Sequence, residues 1–158
     1  TVVTVSIDVL LPYGESSKTW QNGVMTFDVT AKGSPFVMTA TNETTDPTLA
    51  YGLNYNPAGA DVVQVRFKLD GCTKADSMWI SFCATNTGSA AGAWKSNAKS
   101  FTYDSVNGKF LVLSIPLTAS GVKALNQIET FRMNFANVKN GKVTLDYIFI
   151  GPSELAPN

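Results

Sequence analysis

The 158-residue sequence contains no histidine. That absence removes the commonest general base, the Ser-His-Asp arrangement and most zinc chemistry. There are only two cysteines, Cys72 and Cys83, too few for a disulfide scaffold and, without histidine, too few to complete a four-ligand zinc site. They leave the redox compartment undecided. Charge is scarce as well: only 15% of residues are charged, and 12 Lys+Arg balance 12 Asp+Glu. The chain therefore lacks the clustered positive charge that draws a protein to phosphate backbones or anionic lipids, and neither nucleic acid nor membrane is expected as a partner. No apolar run approaches the ~20 residues that span a bilayer. No signal peptide heads the sequence, and its first residues, Thr1, Val2 and Val3, without an initiator Met, suggest an excised or processed module. Without histidine, carboxylate pairs are the one economical catalytic apparatus left. Yet the acids form no convincing local pair, and Glu129, Asp46, Asp76 and Asp104 read as turn formers or solubilising charges. The expectation is a protein that is not an enzyme and has no catalytic cofactor.

What the sequence does contain is apolar alternation. Hydrophobic residues make up 44% of the chain, enough for a sizeable core, and the length suits a single domain spanning 1–158. Apolar and polar residues alternate over Val24 to Thr30, Phe36 to Thr41, Val62 to Leu69, Met78 to Ala84, Lys109 to Leu117, Glu129 to Phe135 and Val143 to Ile150. Val2 to Val9 looks similar. A period of two predicts strands. Asp70-Gly71, Asn107-Gly108 and Asn140-Gly141 supply turn chemistry between them, which predicts antiparallel connections. Ser120 to Gln127 is the one helix-like stretch. Short strands with one apolar face each need a second layer to bury that face, so the predicted fold is all-β, a two-sheet antiparallel jelly-roll β-sandwich. Pro152 to Asn158 reads as a tail or the start of a linker.

Alternation also predicts which side chains turn away from the core. Val63, Val65, Phe67 and Leu69 share one face of their strand, leaving Gln64, Arg66 and Lys68 on the other. Met78, Ile80 and Phe82 point inward and Trp79, Ser81 and Cys83 outward. Phe131, Met133 and Phe135 point inward, and Thr130, Arg132 and Asn134 outward. Pairing the first two of these strands as a hairpin across Asp70-Gly71 sets Lys68 opposite Trp79 and Arg66 opposite Ser81. The same register separates Cys72 from Cys83 by roughly 20 Å at ~3.3 Å per residue, which predicts two free thiols.

Sugar rings present apolar C–H faces and a rim of hydroxyls, so a site for them combines an aromatic platform with planar donors and acceptors. Trp79, Gln64, Arg66, Arg132 and Asn134 are those types. Abundant Ser, Thr, Asn and Gln suit the same neutral, hydroxyl-rich ligands. The alternative is that these side chains solvate one sheet and a loop covers the Trp. Tyr13, Trp20, Tyr51, Tyr55 and Trp94 lie in or beside irregular segments, either as loop anchors or, as for Trp20, as a platform at a sheet edge.

Three stretches, Asp61-Val-Val-Gln-Val-Arg-Phe-Lys, Ile128-Glu-Thr-Phe-Arg-Met-Asn-Phe and Val143-Thr-Leu-Asp-Tyr-Ile-Phe-Ile-Gly, resemble bacterial jelly-roll carbohydrate-binding modules of the kind appended to secreted glycoside hydrolases. The pattern runs from about Trp20 to Gly151. The resemblance implies a non-catalytic module that binds plant or microbial polysaccharide or oligosaccharide and is covalently linked to a glycoside hydrolase or surface-protein domain, secreted or attached at the cell surface. Ligand would lie on a concave sheet or at the loops. The resemblance also implies a structural calcium, with Asp146 in the position of an acidic ligand on the final strand, although an ion pair or a capped turn would equally explain that residue. Asp8, Asp28 and Glu43 are the other acids that early segments could bring near it. The competing function is a structural or adhesive β-sandwich spacer of a bacterial cell-surface protein with no sugar site.

Overall fold

Strands whose side chains alternate apolar and polar bury one face only by stacking on a second sheet, and the chain does so. The computed structural model describes residues 3–4, 10–13, 18–21, 23–29, 33–39, 55–73, 77–83, 95–121, 123 and 128–158, with the backbone alone for 3–4, 10–13, 18–21, 38–39 and 82–83. Among them are β1 (Val3–Thr4), β2 (Leu10–Tyr13), β3 (Lys18–Gln21), β4 (Val24–Asp28), β5 (Phe36–Thr39) and β6 (Val62–Asp70). There follow β7 (Ser77–Cys83), β8 (Lys95–Ser100), β9 (Leu111–Pro116), β10 (Thr130–Ala136) and β11 (Lys142–Gly151). One sheet runs β3-β4-β11-β6-β9, with β1 also pairing β11. The other runs β2-β5-β10-β7-β8. All pairings between these strands are antiparallel, and the fold is an all-β jelly-roll sandwich. Helix-like Ser120 to Gln127 falls largely outside the described residues.

The inward faces match the alternation. Val63, Val65, Phe67 and Leu69 of β6, Met78 and Ile80 of β7, and Phe131, Met133 and Phe135 of β10 are all fully buried. They join Met25 and Phe27 of β4 in one core. Strand β11 keeps this order only because of a bulge. Its register against β6 shifts between Leu145 and Tyr147, so Val143 and Leu145 point inward before the bulge, and Ile148 and Ile150 after it. Asp146 and Tyr147 consequently lie side by side on the outer face, as a bulge that sets two residues against one requires.

The turn residues are as predicted in chemistry but not in what they join. Gly71, Gly108 and Gly141 have φ of 69°, 71° and 74°. Each, however, carries the chain from one sheet into the other. Reversal between layers needs the same left-handed backbone as reversal within a hairpin, so the sequence signal is identical. β6 and β7 are therefore not hairpin partners, and the predicted facing of Arg66 with Ser81 and of Lys68 with Trp79 does not occur. Two of the crossings pack backbone against backbone: Thr73 N donates to Lys139 O at 2.8 Å and Val29 N to Gly141 O at 2.9 Å. A side chain on Gly141 would overlap the Asp70 carbonyl oxygen and the backbone of Gly71 and Cys72, whereas Gly23, with φ of 75°, has open space around it.

Two predictions follow from this packing. Gly23→Ala should lose about 1 kcal/mol, while Gly141→Ala should lose more, lowering the melting temperature by a further ~2–4 °C for each additional kcal/mol in thermal unfolding. Burial pushes the Tyr55 hydroxyl and the Cys72 thiol above their ordinary pKa values. The native state thus holds these protons to higher pH than the unfolded chain does. Their contribution to stability is complete below about pH 9 and is lost as pH rises through the folded-state values. Urea midpoints should fall on that alkaline limb, and less steeply for Tyr55→Phe or Cys72→Ala.

Candidate functional site

β7 and β10 lie beside each other, with Trp79 opposite Asn134 and Ser81 opposite Arg132. Because Met78, Ile80, Met133 and Phe135 take the inward positions, these four residues are forced onto the outer face. On the other side of β10, β5 sets Phe36 opposite Asn134. On the other side of β7, β8 sets Ala98 opposite Trp79 and Ser96 opposite Ser81. The row across the sheet thus reads Phe36, Asn134, Trp79, Ala98. With only the Ala98 methyl on its β8 side, the indole remains 47% exposed.

Trp79, Ser81, Arg132, Asn134 and Ala136 line an open depression of about 370 Å³, near the small end of ligand sites. Arg132 is held rigidly within it. Its guanidinium lies 3.9 Å from the centre of the Phe36 ring, and its Nε donates to Asn134 Oδ1 at 2.9 Å. Burial lowers the guanidinium pKa from its ordinary value, but an arginine so placed stays protonated. Ser81 and Ser96 share a hydroxyl–hydroxyl hydrogen bond of 2.7 Å. The depression thus combines a bare aromatic face with planar donors and acceptors already fixed in orientation.

Gln64 and Arg66 lie on the outer face of the opposite sheet. Stacked sheets sit ~10 Å apart, so residues on the two outer faces cannot grip one small ligand together. Gln64 is 2% exposed, and its amide is saturated. Its Nε2 donates to Ser114 Oγ at 2.9 Å and to Asn158 O at 3.1 Å, while its Oε1 accepts from Tyr147 Oη at 2.8 Å and Asn158 N at 3.1 Å. Asn158 also donates to Tyr147 Oη at 2.7 Å, and Ser153 N donates to the Asp61 carboxylate. The 152–158 segment is therefore docked on the sheet, where sequence predicts a tail. Arg66 pairs with Asp146 and lies 3.9 Å over the Phe110 ring. Trp20 stands in β3 of this same sheet, its backbone paired with Met25; its side chain lies outside the described residues, as do Tyr51 and Trp94.

Calcium needs six to eight oxygen ligands. The Asp146 carboxylate is engaged by Arg66, and Asp28 pairs with Lys142 at 2.8 Å. No group of three metal-capable side chains gathers among the described residues, and Asp8 and Glu43 lie outside them. Cys72 is a free, buried thiol, and the Cys83 side chain is outside the described residues.

Sequence reasoning misses Phe36 and Ala136 at the depression and Phe110, Tyr147 and Asn158 on the opposite face. Phe36 reads simply as an apolar strand residue, and only the pairing of β5 with β10 brings it under Arg132. Tyr147 lies in the Asp-Tyr-Ile stretch, whose adjacent outward positions arise from the bulge. The two faces differ in what truncation should do. Gln64→Ala should lose ~1–3 kcal/mol of stability by stranding Tyr147, Ser114 and the 158 backbone, whereas Trp79→Ala should change unfolding free energy by no more than ~0.5 kcal/mol. Chemical denaturation of both variants checks the contrast.

No family model matches the chain. No curated protein matches its sequence. Solved structures do match its fold. A family 11 carbohydrate-binding module from Clostridium thermocellum, solved with a β-1,3-1,4-mixed-linked tetrasaccharide, superposes with a TM-score of 0.59 at 15% identity over 96% of this chain and 95% of that one. A family 28 module specific for non-crystalline cellulose gives 0.60 at 16% identity over 91% and 87%. A family 29 module from Piromyces equi gives 0.59 at 9% identity over 99% and 94%. At these identities the likeness is one of fold, a β-sandwich shared with carbohydrate-binding modules over nearly the whole chain.

Proposed function

We propose that the protein is a non-catalytic carbohydrate-binding module whose saccharide lies on the outer face of the β2-β5-β10-β7-β8 sheet. A sugar ring stacks its C–H face on Trp79, while Arg132, Asn134 and Ser81 meet its hydroxyls. The observation that carries this is the exposed indole beside a braced guanidinium and amide in one depression. The shared fold with a module solved with a β-1,3-1,4-mixed-linked tetrasaccharide and with one specific for non-crystalline cellulose supports it. By extension, the module serves a secreted glycoside hydrolase or a surface protein to which it is covalently attached, holding that partner near polysaccharide.

Affinity electrophoresis and calorimetry against soluble mannans, glucans, xylans and pectins test the proposal. At least one should bind, and Trp79→Ala should weaken it about ten- to hundredfold, the loss expected from stripping a buried aromatic contact worth ~1.5–3 kcal/mol. Trp20→Ala, on the other sheet, should leave affinity unchanged. Binding that survives Trp79→Ala but not Trp20→Ala would move the site to the opposite sheet. A chain that binds neither these nor any acidic polysaccharide is a spacer.

A further inference from the structure

The charge of the two sheets is unequal in a way the neutral total conceals. The strands of the β3-β4-β11-β6-β9 sheet and β1 carry Asp28, Asp70 and Asp146 alongside Lys18, Arg66, Lys68 and Lys142. The five strands of the other sheet, LLPY, FVMT, SMWISFC, KSNAKS and TFRMNFA, hold Arg132, Lys95 and Lys99 and no acidic residue. Three cationic side chains are partly buried among the described residues: Arg66, Lys68 and Arg132. Arg66 is paired with Asp146 and Lys68 with Asp70 at 3.6 Å. Arg132 has no carboxylate partner among the described residues. A partly buried charge is ordinarily paired, and this one lines the depression beside Trp79.

Resting on the saccharide reading of this face, we infer that its ligand is an acidic one: a polysaccharide whose uronate carboxylate is received by the Arg132 guanidinium while the sugar ring covers Trp79. The guanidinium is prepared for this. Phe36 supports its plane, and Asn134 occupies only Nε, leaving the Nη1–Nη2 edge to receive two carboxylate oxygens in parallel. The β8 lysines stand at inward register positions, Lys95 opposite Phe82 and Lys99 opposite Met78, with Lys99 donating to Ser114 O at 2.9 Å, so the positive charge on the outer face of these strands is that of Arg132, and no described acid on them opposes it. A neutral glycan would use the indole and Asn134 but leave the charge uncompensated.

The test pairs each acidic polymer with its own neutral form. Calorimetry of the intact chain is run with polygalacturonate, polymannuronate and polyglucuronate, each also after chemical reduction of its carboxyl groups, together with neutral glucans, mannans and xylans and a sulfated dextran. At least one uronate polymer should bind, its reduced form about ten- to hundredfold more weakly, as for loss of a charge-assisted hydrogen-bonded pair. Binding should weaken as salt shortens the screening length. Arg132→Gln should abolish the difference between acidic and reduced forms, and Arg132→Lys should restore only part of it, with melting curves confirming the fold. Equal binding of a polymer and its reduced form, or neutral glycans bound in preference, overturns the uronate assignment while leaving saccharide binding intact. Sulfated dextran bound more tightly than every uronate overturns it in favour of unspecific anion attraction. No binding to any polymer overturns both proposals.

Discussion

Phe135 of β10 meets Phe27 of β4 and Phe67 of β6 edge to face, with ring centres 6.0 Å and 5.8 Å apart. Phe67 in turn meets Phe101 at 5.3 Å. These contacts join one layer to the other, and such pairs add ~0.5–1.5 kcal/mol each beyond the area they bury. Their larger consequence is phase. A strand slipped by one residue would expose Phe131, Met133 and Phe135 and bury Arg132 and Asn134, exchanging three apolar side chains for two polar ones at once. The aromatic interlock therefore fixes which side chains reach solvent on β10 and on β6. The outer surfaces are chosen by the inner one.

That dependence explains what can be read from sequence. The facing of Trp79, Gln64, Arg66, Arg132 and Asn134 follows from alternation within their own strands, because the driving force is local burial. Which strands lie together does not follow. Trp79 does acquire a cationic neighbour, but it is Arg132 on β10, more than fifty residues away, and not Lys68 across the nearest turn. Asp70-Gly71 specifies a reversal without specifying whether the chain stays in its sheet. β8, Lys-Ser-Asn-Ala-Lys-Ser, carries no apolar alternation because nearly all of it is exposed at a sheet edge, where lysines also discourage pairing with another chain. The bulge at Asp146 is equally silent: two adjacent outward residues are visible only against the register of β6.

The two outer faces solve the same problem differently. Where Gln64 is sealed, each of its polar atoms finds a protein partner, with Asn158 and Tyr147 supplying what water would otherwise supply. Replacing any one of those partners by a sugar hydroxyl would gain little, since a satisfied hydrogen bond would be exchanged for another. On the opposite face Ala98, Ser96 and Ala136 are too small to cover the indole, and the Arg132 fork retains unused donors. A single exposed Trp is ordinary on a protein surface. An exposed Trp adjoining a charged donor that is already immobilised, on strands that carry no acidic residue, is a surface with interactions still to be made.

Placement on strands decides how such a surface binds. Trp79, Arg132 and Asn134 project from two adjacent strands, and the ladder between them has continuous register from Thr130–Cys83 to Ala136–Ser77. Their spacing is thus set by backbone hydrogen bonds instead of by a loop that must order on contact. Arginine carries ~2 kcal/mol of rotamer entropy when free, and stacking on Phe36 with the Nε bond to Asn134 removes much of that freedom before any ligand arrives. A ligand meeting this face spends correspondingly less of its interaction free energy on ordering the protein. The rigidity that serves binding also restricts it, because a hydrogen-bonded ladder cannot close over its ligand. What distinguishes one extended saccharide from another must then lie in the direct contacts at the indole and the guanidinium, and of these only the guanidinium can tell a charged sugar from a neutral one.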